Sequence, residues 1–133
     1  MKIIVVGAGK VGYSLSQRLV QDNHDVYMID RSQERIHNLE HVLDVSLVQG
    51  NGSDIQLLNE IGMDDVGMFI AVTDSDEVNM LSCAVAKIAG VPTTVARVRD
   101  TNIAEHMDDT MKERLGVDLF INPEMVTAQE LFQ

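Results

Sequence analysis

Short runs of apolar, mostly β-branched residues alternate along the chain with longer stretches in which apolar residues recur at helical spacing. Six runs predict six strands, at residues 3–6, 26–29, 45–48, 68–72, 95–98 and 119–121. Uniformly apolar runs such as the first are typical of parallel strands buried on both faces. Because crossovers between parallel strands are right-handed, we expect a mainly parallel, doubly wound α/β sheet with strand order 3-2-1-4-5-6.

Residues that favour helix ends mark the helices between these strands. Asn23 stands where a residue in the left-handed conformation ends the first helix, and Ser32 and Ser53 are the expected N-caps of the next two. The longest predicted helix covers residues 76–89, and a polar helical region covers residues 102–115.

A last helix is predicted to begin with Asn122 as its N-cap and Pro123 at its first position. The apolar residues of this segment are Met125, Val126, Ala128, Leu131 and Phe132. They indicate a surface for a partner or a boundary inside a longer protein. The alternative is a terminal helix that packs on its own sheet.

The turn after the first strand carries the strongest motif. Residues 7–12 form the pattern G-x-G-x-x-G: Gly7, Ala8, Gly9, Lys10, Val11 and Gly12. In this pattern the first glycine allows a tight turn, the second lets the backbone approach a pyrophosphate, and the third lets the helix pack closely on the strand. The N–H groups and the positive dipole end of the helix then favour phosphate groups.

Asp30 ends the second strand, about 20 residues after the glycines, where dinucleotide-binding domains place an acid that binds the ribose hydroxyls. A carboxylate there favours NAD(H) over NADP(H), whereas an adjacent arginine, here Arg31, is able to accept a 2′-phosphate. Lys10 either contacts a phosphate or is a solvated surface residue. Together these residues predict a Rossmann-type dinucleotide-binding domain over residues 1–121.

The predicted crevice extends along the ends of the other strands. Seven further candidate contacts follow or lie beside the third, fourth and fifth strands: Asn51, Gly52, Ser53, Thr73, Asp74, Asn79 and Arg97. We expect the first three near adenine, and the next two beside the pyrophosphate and the second ribose. The arginine has a fork of N–H donors suited to phosphate. The alternative for each of these seven residues is a structural role as a helix cap or a solvated position without a ligand contact.

Composition narrows the choice of partners. The 133 residues include 10 Lys plus Arg and 21 Asp plus Glu, so the net charge is −11. This acidity argues against broad binding to nucleic acid or anionic lipid, which require basic surfaces. The single cysteine, Cys83, excludes an internal disulfide and is expected in the core. We expect no signal peptide and no membrane insertion, since the apolar runs are far shorter than the ~20 residues of a spanning helix.

The chain offers little that would support catalysis. His37 and His41 are spaced as a metal pair on one helix, but no third ligand has an evident spacing, so we interpret them as an exposed polar face. No residue is placed as an acid or base for hydride transfer. We therefore expect a binding domain that is not an enzyme.

Four segments carry a more specific resemblance: residues 1–30, 47–53, 71–87 and 96–100. They resemble the nucleotide-binding domain of Trk-type potassium-uptake regulatory subunits, called the TrkA N-terminal, RCK or KTN domain. The resemblance implies a cytoplasmic regulatory lobe that binds NAD(H) or ATP/ADP and assembles into a homo-oligomeric ring. That ring docks on a membrane potassium transporter at the inner membrane and gates it.

The same resemblance implies ligand contacts at residues 7–11, Asp30, Thr73 with Asp74, and Arg97. It also implies that residues 122–133 begin a crossover helix that packs on a second subunit, and that the chain is one lobe of a longer regulator.

Two departures from the family pattern concern the ligand. Many members have Asp where Asn51 stands, on the adenine side, and others have Arg where Lys10 stands, near a terminal phosphate. Two alternatives remain: the coenzyme half of an NAD-dependent dehydrogenase without its substrate domain, and a methyltransferase that binds S-adenosylmethionine, which would lack a target-binding aromatic motif.

Overall fold

Six parallel strands form one sheet, and their order along it is 3-2-1-4-5-6 in chain numbering, as predicted from the sequence. The structure is a computed structural model that describes residues 1–122. Its strands are β1 (Lys2–Val6), β2 (Asp25–Asp30), β3 (Ser46–Gln49), β4 (Val66–Ala71), β5 (Thr93–Arg97) and β6 (Leu119–Ile121). Its helices are α1 (Lys10–Gln21), α2 (Gln33–Leu39), α3 (Ile55–Ile61), α4 (Asp76–Ile88), α5 (Thr101–His106) and α6 (Asp109–Leu115).

Two apolar layers cover the two faces of the sheet. Successive residues of β1 alternate between them, because side chains of a strand point to opposite faces. Ile3 and Val5 pack with Leu15 and Leu19 of α1, whereas Ile4 packs in the layer that includes Leu58 of α3 and Cys83 of α4. The doubly wound arrangement follows from burying both faces of a parallel sheet.

The helix ends confirm some of the sequence predictions and correct one. Asn23 has a φ of +66°, and the Ser32 hydroxyl accepts a hydrogen bond from the Arg35 N–H, as expected. The predicted cap at Ser53 is wrong: Asp54 is the N-cap of α3 and accepts from the Gln56 and Leu57 N–H groups. The Ser53 hydroxyl instead donates to Asn51 Oδ1 at 2.8 Å, which removes it from the helix end.

The polar region at residues 102–115 forms two short helices, not one. Met107 is extended between them, and Asp108 starts α6 by accepting the Met111 N–H at 2.8 Å. A strong capping residue inside a polar stretch favours a new helix start over continuation. Gly116 ends α6 in the left-handed conformation, as predicted. The predicted crossover helix covers residues 122–133, and all of it after Asn122 lies outside the residues that the structure describes.

Backbone hydrogen bonds bring the loops together at the carboxyl edge of the sheet. Gly7 N donates to Ile29 O at 2.8 Å, and Gly50 N donates to Asp30 O at 2.9 Å. The loops after β1, β2 and β3 therefore leave the sheet side by side, at the edge where open α/β sheets bind ligands. No helix in residues 1–122 has the length and apolar character needed to cross a membrane.

Candidate functional site

The loop between β1 and α1 has a geometry that only glycine satisfies at two positions. Gly7 has a φ of +112°, and a Cβ there would lie 3.0 Å from the Val72 carbonyl oxygen. A Cβ on Gly12 would overlap the Gly7 carbonyl oxygen. The tight turn and the close contact between helix and strand, both predicted from the glycine spacing, are therefore present.

The N-terminus of α1 differs from the other helix starts among residues 1–122. Its N-cap is Gly9, which has no side chain to accept a hydrogen bond, whereas α2 to α6 are capped by serine or aspartate oxygens. The first N–H groups of a helix have no partner inside it. At Lys10, Val11 and Gly12 no capping side chain takes these groups, and an anion is their natural acceptor.

The Asp30 carboxylate joins this loop to the end of β2. Its Oδ2 accepts the Ala8 N–H at 2.7 Å, and its Oδ1 accepts the Ser32 N–H at 2.8 Å. The residue is only 9% exposed, so two amides balance a nearly buried charge. Arg31, the adjacent arginine, is exposed.

Arg35 of α2 is a residue of this site that sequence reasoning missed. Its Nη1 lies 3.6 Å from Asp30 Oδ2 and 3.4 Å from the point where a Cβ of Gly9 would stand. A signal was available, because side chains in a helix lean toward its N-terminus. An arginine in the first turn after the Ser32 cap therefore leans back toward Asp30 and the glycine loop.

The turn after β3 approaches β1 closely. Gly52 is buried, and a Cβ there would overlap the Val6 side chain. Asn51 Oδ1 accepts from the Ser53 N–H at 2.9 Å and fixes the turn. The three residues predicted near adenine thus lie beside the end of β1, with Asn51 and Ser53 partly exposed.

Asn79 holds the ends of β4 and β5 together from inside the protein. Its Oδ1 accepts from the Thr73 N–H at 2.9 Å and the Thr73 hydroxyl at 2.6 Å, and its Nδ2 donates to Thr73 O at 3.0 Å and Arg97 O at 2.9 Å. Asn79 is fully buried, and these bonds use its amide groups. The geometry gives it a positioning role for Thr73, and its predicted contact with a ligand stays a prediction.

Arg97 and Asp74 face each other across the ends of β5 and β4. Arg97 is 6% exposed, and its Nη1 lies 3.5 Å from Asp74 Oδ1. Arg99 Nη1 lies 3.9 Å from the same oxygen. Both arginines stand at the carboxyl edge of the sheet, and Arg99 is a second residue of this edge that the sequence motif did not identify.

The remaining candidate residues are the two histidines of the possible metal pair and the single cysteine. Residues 1–122 contain no group of three His, Cys, Asp or Glu able to hold a metal ion, and His37 and His41 are both exposed. Cys83 is buried in the core, and its burial raises the pKa of the thiol to about 12.

The fold and the glycine loop define a Rossmann-type domain. Within that class, the TrkA-N domain family matches residues 3–123, and the chain belongs to this family. The chain is 38% identical over 132 residues to the Trk system potassium uptake protein TrkA of Halomonas elongata, covering 98% of this chain and 29% of that protein. It is 33% identical over 128 residues to the TrkA homolog of Methanothermobacter thermautotrophicus, covering 96% of this chain and 57% of that protein.

Solved structures of low sequence identity share the fold. The NAD(P)-binding domain of an exopolyphosphatase-related protein from Archaeoglobus fulgidus has a TM-score of 0.78 at 21% identity, covering 98% of this chain and 93% of that one. The GsuK channel bound to NAD has a TM-score of 0.75 at 18% identity, and the match covers 90% of this chain and 21% of the GsuK chain. The AMP-bound Kef C-terminal domain of Shewanella denitrificans has a TM-score of 0.74 at 20% identity, and the match covers 98% of this chain and 77% of the Kef chain.

Proposed function

We propose that this chain is a regulatory domain that binds an adenine nucleotide, with NAD(H) as the principal ligand and ATP or ADP as alternatives. The observation that carries the proposal is the α1 N-terminus, where Gly9 leaves the first amides without a capping side chain beside the Asp30 carboxylate. Backbone amides suit a diphosphate, and a carboxylate at the end of β2 suits ribose hydroxyls.

The residues present fit this ligand. The loop at residues 7–12 would hold the phosphates, and Asp30 would accept from the adenosine ribose. The turn at residues 51–53 would border adenine, and Thr73, Asp74 and Arg97 would contact the second half of a dinucleotide.

Local charge explains how an acidic chain attracts an anion. Five of its ten basic residues belong to the strand end, loops or helix starts at this edge of the sheet: Lys10, Arg31, Arg35, Arg97 and Arg99. They would place positive charge beside the phosphates, at an edge that also carries the carboxylates of Asp30, Asp74 and Asp76, and opposite charge at a site favours binding.

We further propose that nucleotide binding regulates potassium uptake through a membrane transporter partner, from the cytoplasmic side. The support is the family and the names of its relatives. This chain spans 29% of the Halomonas elongata protein and 57% of the Methanothermobacter thermautotrophicus protein. In this proposal residues 122–133 join a second subunit in a homodimer or ring. A ligand shifts such an assembly only if it binds two conformations with different affinities. We assign the domain no catalytic activity, because its relatives are potassium uptake proteins.

Calorimetric titration of the purified chain with NADH, NAD⁺, ADP and ATP tests nucleotide binding. We expect saturable binding of at least one of them, and no heat from any of the four at millimolar concentration would refute the proposal. A parallel spectrophotometric assay for reduction of NAD⁺ tests the dehydrogenase alternative. The effect on transport is measured as potassium uptake by cells that carry the full-length protein with or without Gly9→Ala.

A further inference from the structure

The Arg35 guanidinium lies across the glycine loop. Its Nη1 and Cζ are 3.4 Å and 3.7 Å from the point where a Cβ of Gly9 would stand, so it flanks the residue that approaches the phosphates. Its side chain is 50% exposed, so one side faces the protein and the other is open to solvent.

The contact between Arg35 and Asp30 is loose. The shortest distance, 3.6 Å from Nη1 to Oδ2, is an ion-pair distance and exceeds the 2.7–3.2 Å of a hydrogen bond. Asp30 Oδ2 already accepts the Ala8 N–H at 2.7 Å. The guanidinium therefore balances the carboxylate charge without a direct hydrogen bond to it, and a small movement would bring it to another anion.

We infer that Arg35 is a phosphate-binding residue, which holds the 5′-phosphates of an adenine nucleotide against the Gly9 backbone. This inference rests on the proposed function and extends it to ligand choice. The guanidinium contacts phosphate with parallel N–H donors, as arginine does elsewhere. Its charge then balances the phosphate, and Asp30 keeps the Ala8 and Ser32 amides while it accepts from the ribose. Ligands with a 5′-phosphate are therefore preferred over adenosine.

Arg18 provides a matched control for Arg35. It lies in the last turn of α1, at the opposite end of that helix from the glycine loop, is exposed, and has the same charge. Replacing either arginine with glutamine changes the net charge of the chain equally, so a general electrostatic effect would appear in both variants. Arg35→Lys keeps the charge and removes the fork of donors.

The experiment titrates the wild type, Arg35→Gln, Arg35→Lys and Arg18→Gln with ADP, NADH and adenosine, using NMR of the ¹⁵N-labelled chain to include weak binding. We expect Arg35→Gln to weaken ADP and NADH about tenfold or more, consistent with loss of charged hydrogen bonds. Adenosine affinity should be unchanged, and Arg35→Lys should be intermediate. Arg18→Gln should keep ADP and NADH affinity within about twofold of the wild type, because an exposed charge far from the ligand contributes little.

The Arg35 Nε–H signal, assigned by its loss in Arg35→Lys, decides between a direct and an indirect role. It should shift with ADP and stay in place with adenosine. Unchanged ADP affinity in Arg35→Gln, or equal losses for ADP and adenosine, would overturn the inference while nucleotide binding itself stands. Absence of binding to the wild type would overturn the proposed function as well. Thermal unfolding of each variant verifies that it is folded.

Discussion

The backbone N–H of Ala8 donates a 2.7 Å hydrogen bond to Asp30 Oδ2, which ties the glycine loop to the neighbouring strand. The same carboxylate accepts the Ser32 N–H at 2.8 Å, just before α2. The residue proposed to bind ribose therefore also shapes the loop proposed to bind phosphate. Stability and ligand affinity should change together when this carboxylate is removed.

Asp30→Ala should lower the free energy of unfolding by about 1–3 kcal/mol, because two N–H groups lose their acceptor in a nearly buried place. NADH affinity should fall more than that of inorganic pyrophosphate, which has no ribose. Urea unfolding and calorimetry measure the two effects. Asp22→Ala is the control for stability, since its side chain is 43% exposed, it pairs with the exposed Arg18, and its loss should change unfolding little. An Asp30→Ala protein with wild-type NADH affinity would contradict the ribose contact.

Gly9→Ala and Gly12→Ala should separate ligand binding from folding. The nearest atoms to a Cβ on Gly9 belong to the flexible Arg35 guanidinium, the first at 3.4 Å, and the φ of −81° is ordinary for any residue. We expect a folded Gly9→Ala protein with at least about tenfold weaker NADH binding, because the methyl group stands where the phosphates approach.

Gly12→Ala should instead reduce stability strongly, because its Cβ overlaps the Gly7 carbonyl oxygen. Circular dichroism melting curves and calorimetry distinguish the two variants. Wild-type NADH affinity in Gly9→Ala would show that the phosphates do not approach this loop.

Asn79→Ala should destabilise the protein by about 1–3 kcal/mol, since buried groups at the ends of β4 and β5 lose their partners. If its role is positioning, NADH affinity should fall in Asn79→Ala by less than in Asp30→Ala. Urea unfolding measures the change in stability, and calorimetry measures the change in NADH affinity. A loss of affinity without a loss of stability would identify Asn79 as a direct ligand contact.

The sequence was sufficient for the strand order and the glycine turn, because both depend on local patterns: apolar runs, glycine spacing and the acid that ends β2. It was insufficient where neighbouring groups compete. Ser53 and Asp54 are both good caps, and the Asn51 turn decides between them by taking the Ser53 hydroxyl. For Arg35, the lean of a helical side chain toward the helix N-terminus gives the direction of the side chain, whereas its distance from Gly9 depends on the packing of α2 beside the loop.

Asp118 should make stability depend on pH. Burial opposes its ionisation, but hydrogen bonds from Lys87 and Thr94 outweigh this and hold the pKa of the carboxyl below its usual value. The unfolded chain therefore binds a proton more readily, and stability falls as the pH drops from the usual aspartate range toward the folded pKa. Melting temperatures between pH 7 and pH 3 should show a shallower decline in Asp118→Asn than in the wild type.

Cys83 should report nucleotide binding through its rate of alkylation. The thiol is buried, its Sγ lies 3.3 Å from Val95 O, and burial raises its pKa to about 12, so the thiolate that reacts with iodoacetamide is scarce in the folded state. As the single cysteine, it should react through transient opening of the structure. A ligand that binds only the folded state, at 100 times its Kd, stabilises that state by about 2.7 kcal/mol, which would slow labelling about a hundredfold if opening disrupts the site. Mass spectrometry of the alkylated chain with and without NADH measures this protection. Gly9→Ala serves as the control, in which a tenfold weaker affinity at the same NADH concentration should reduce the protection from about a hundredfold to about tenfold. Equal protection in both proteins would place NADH away from the glycine loop.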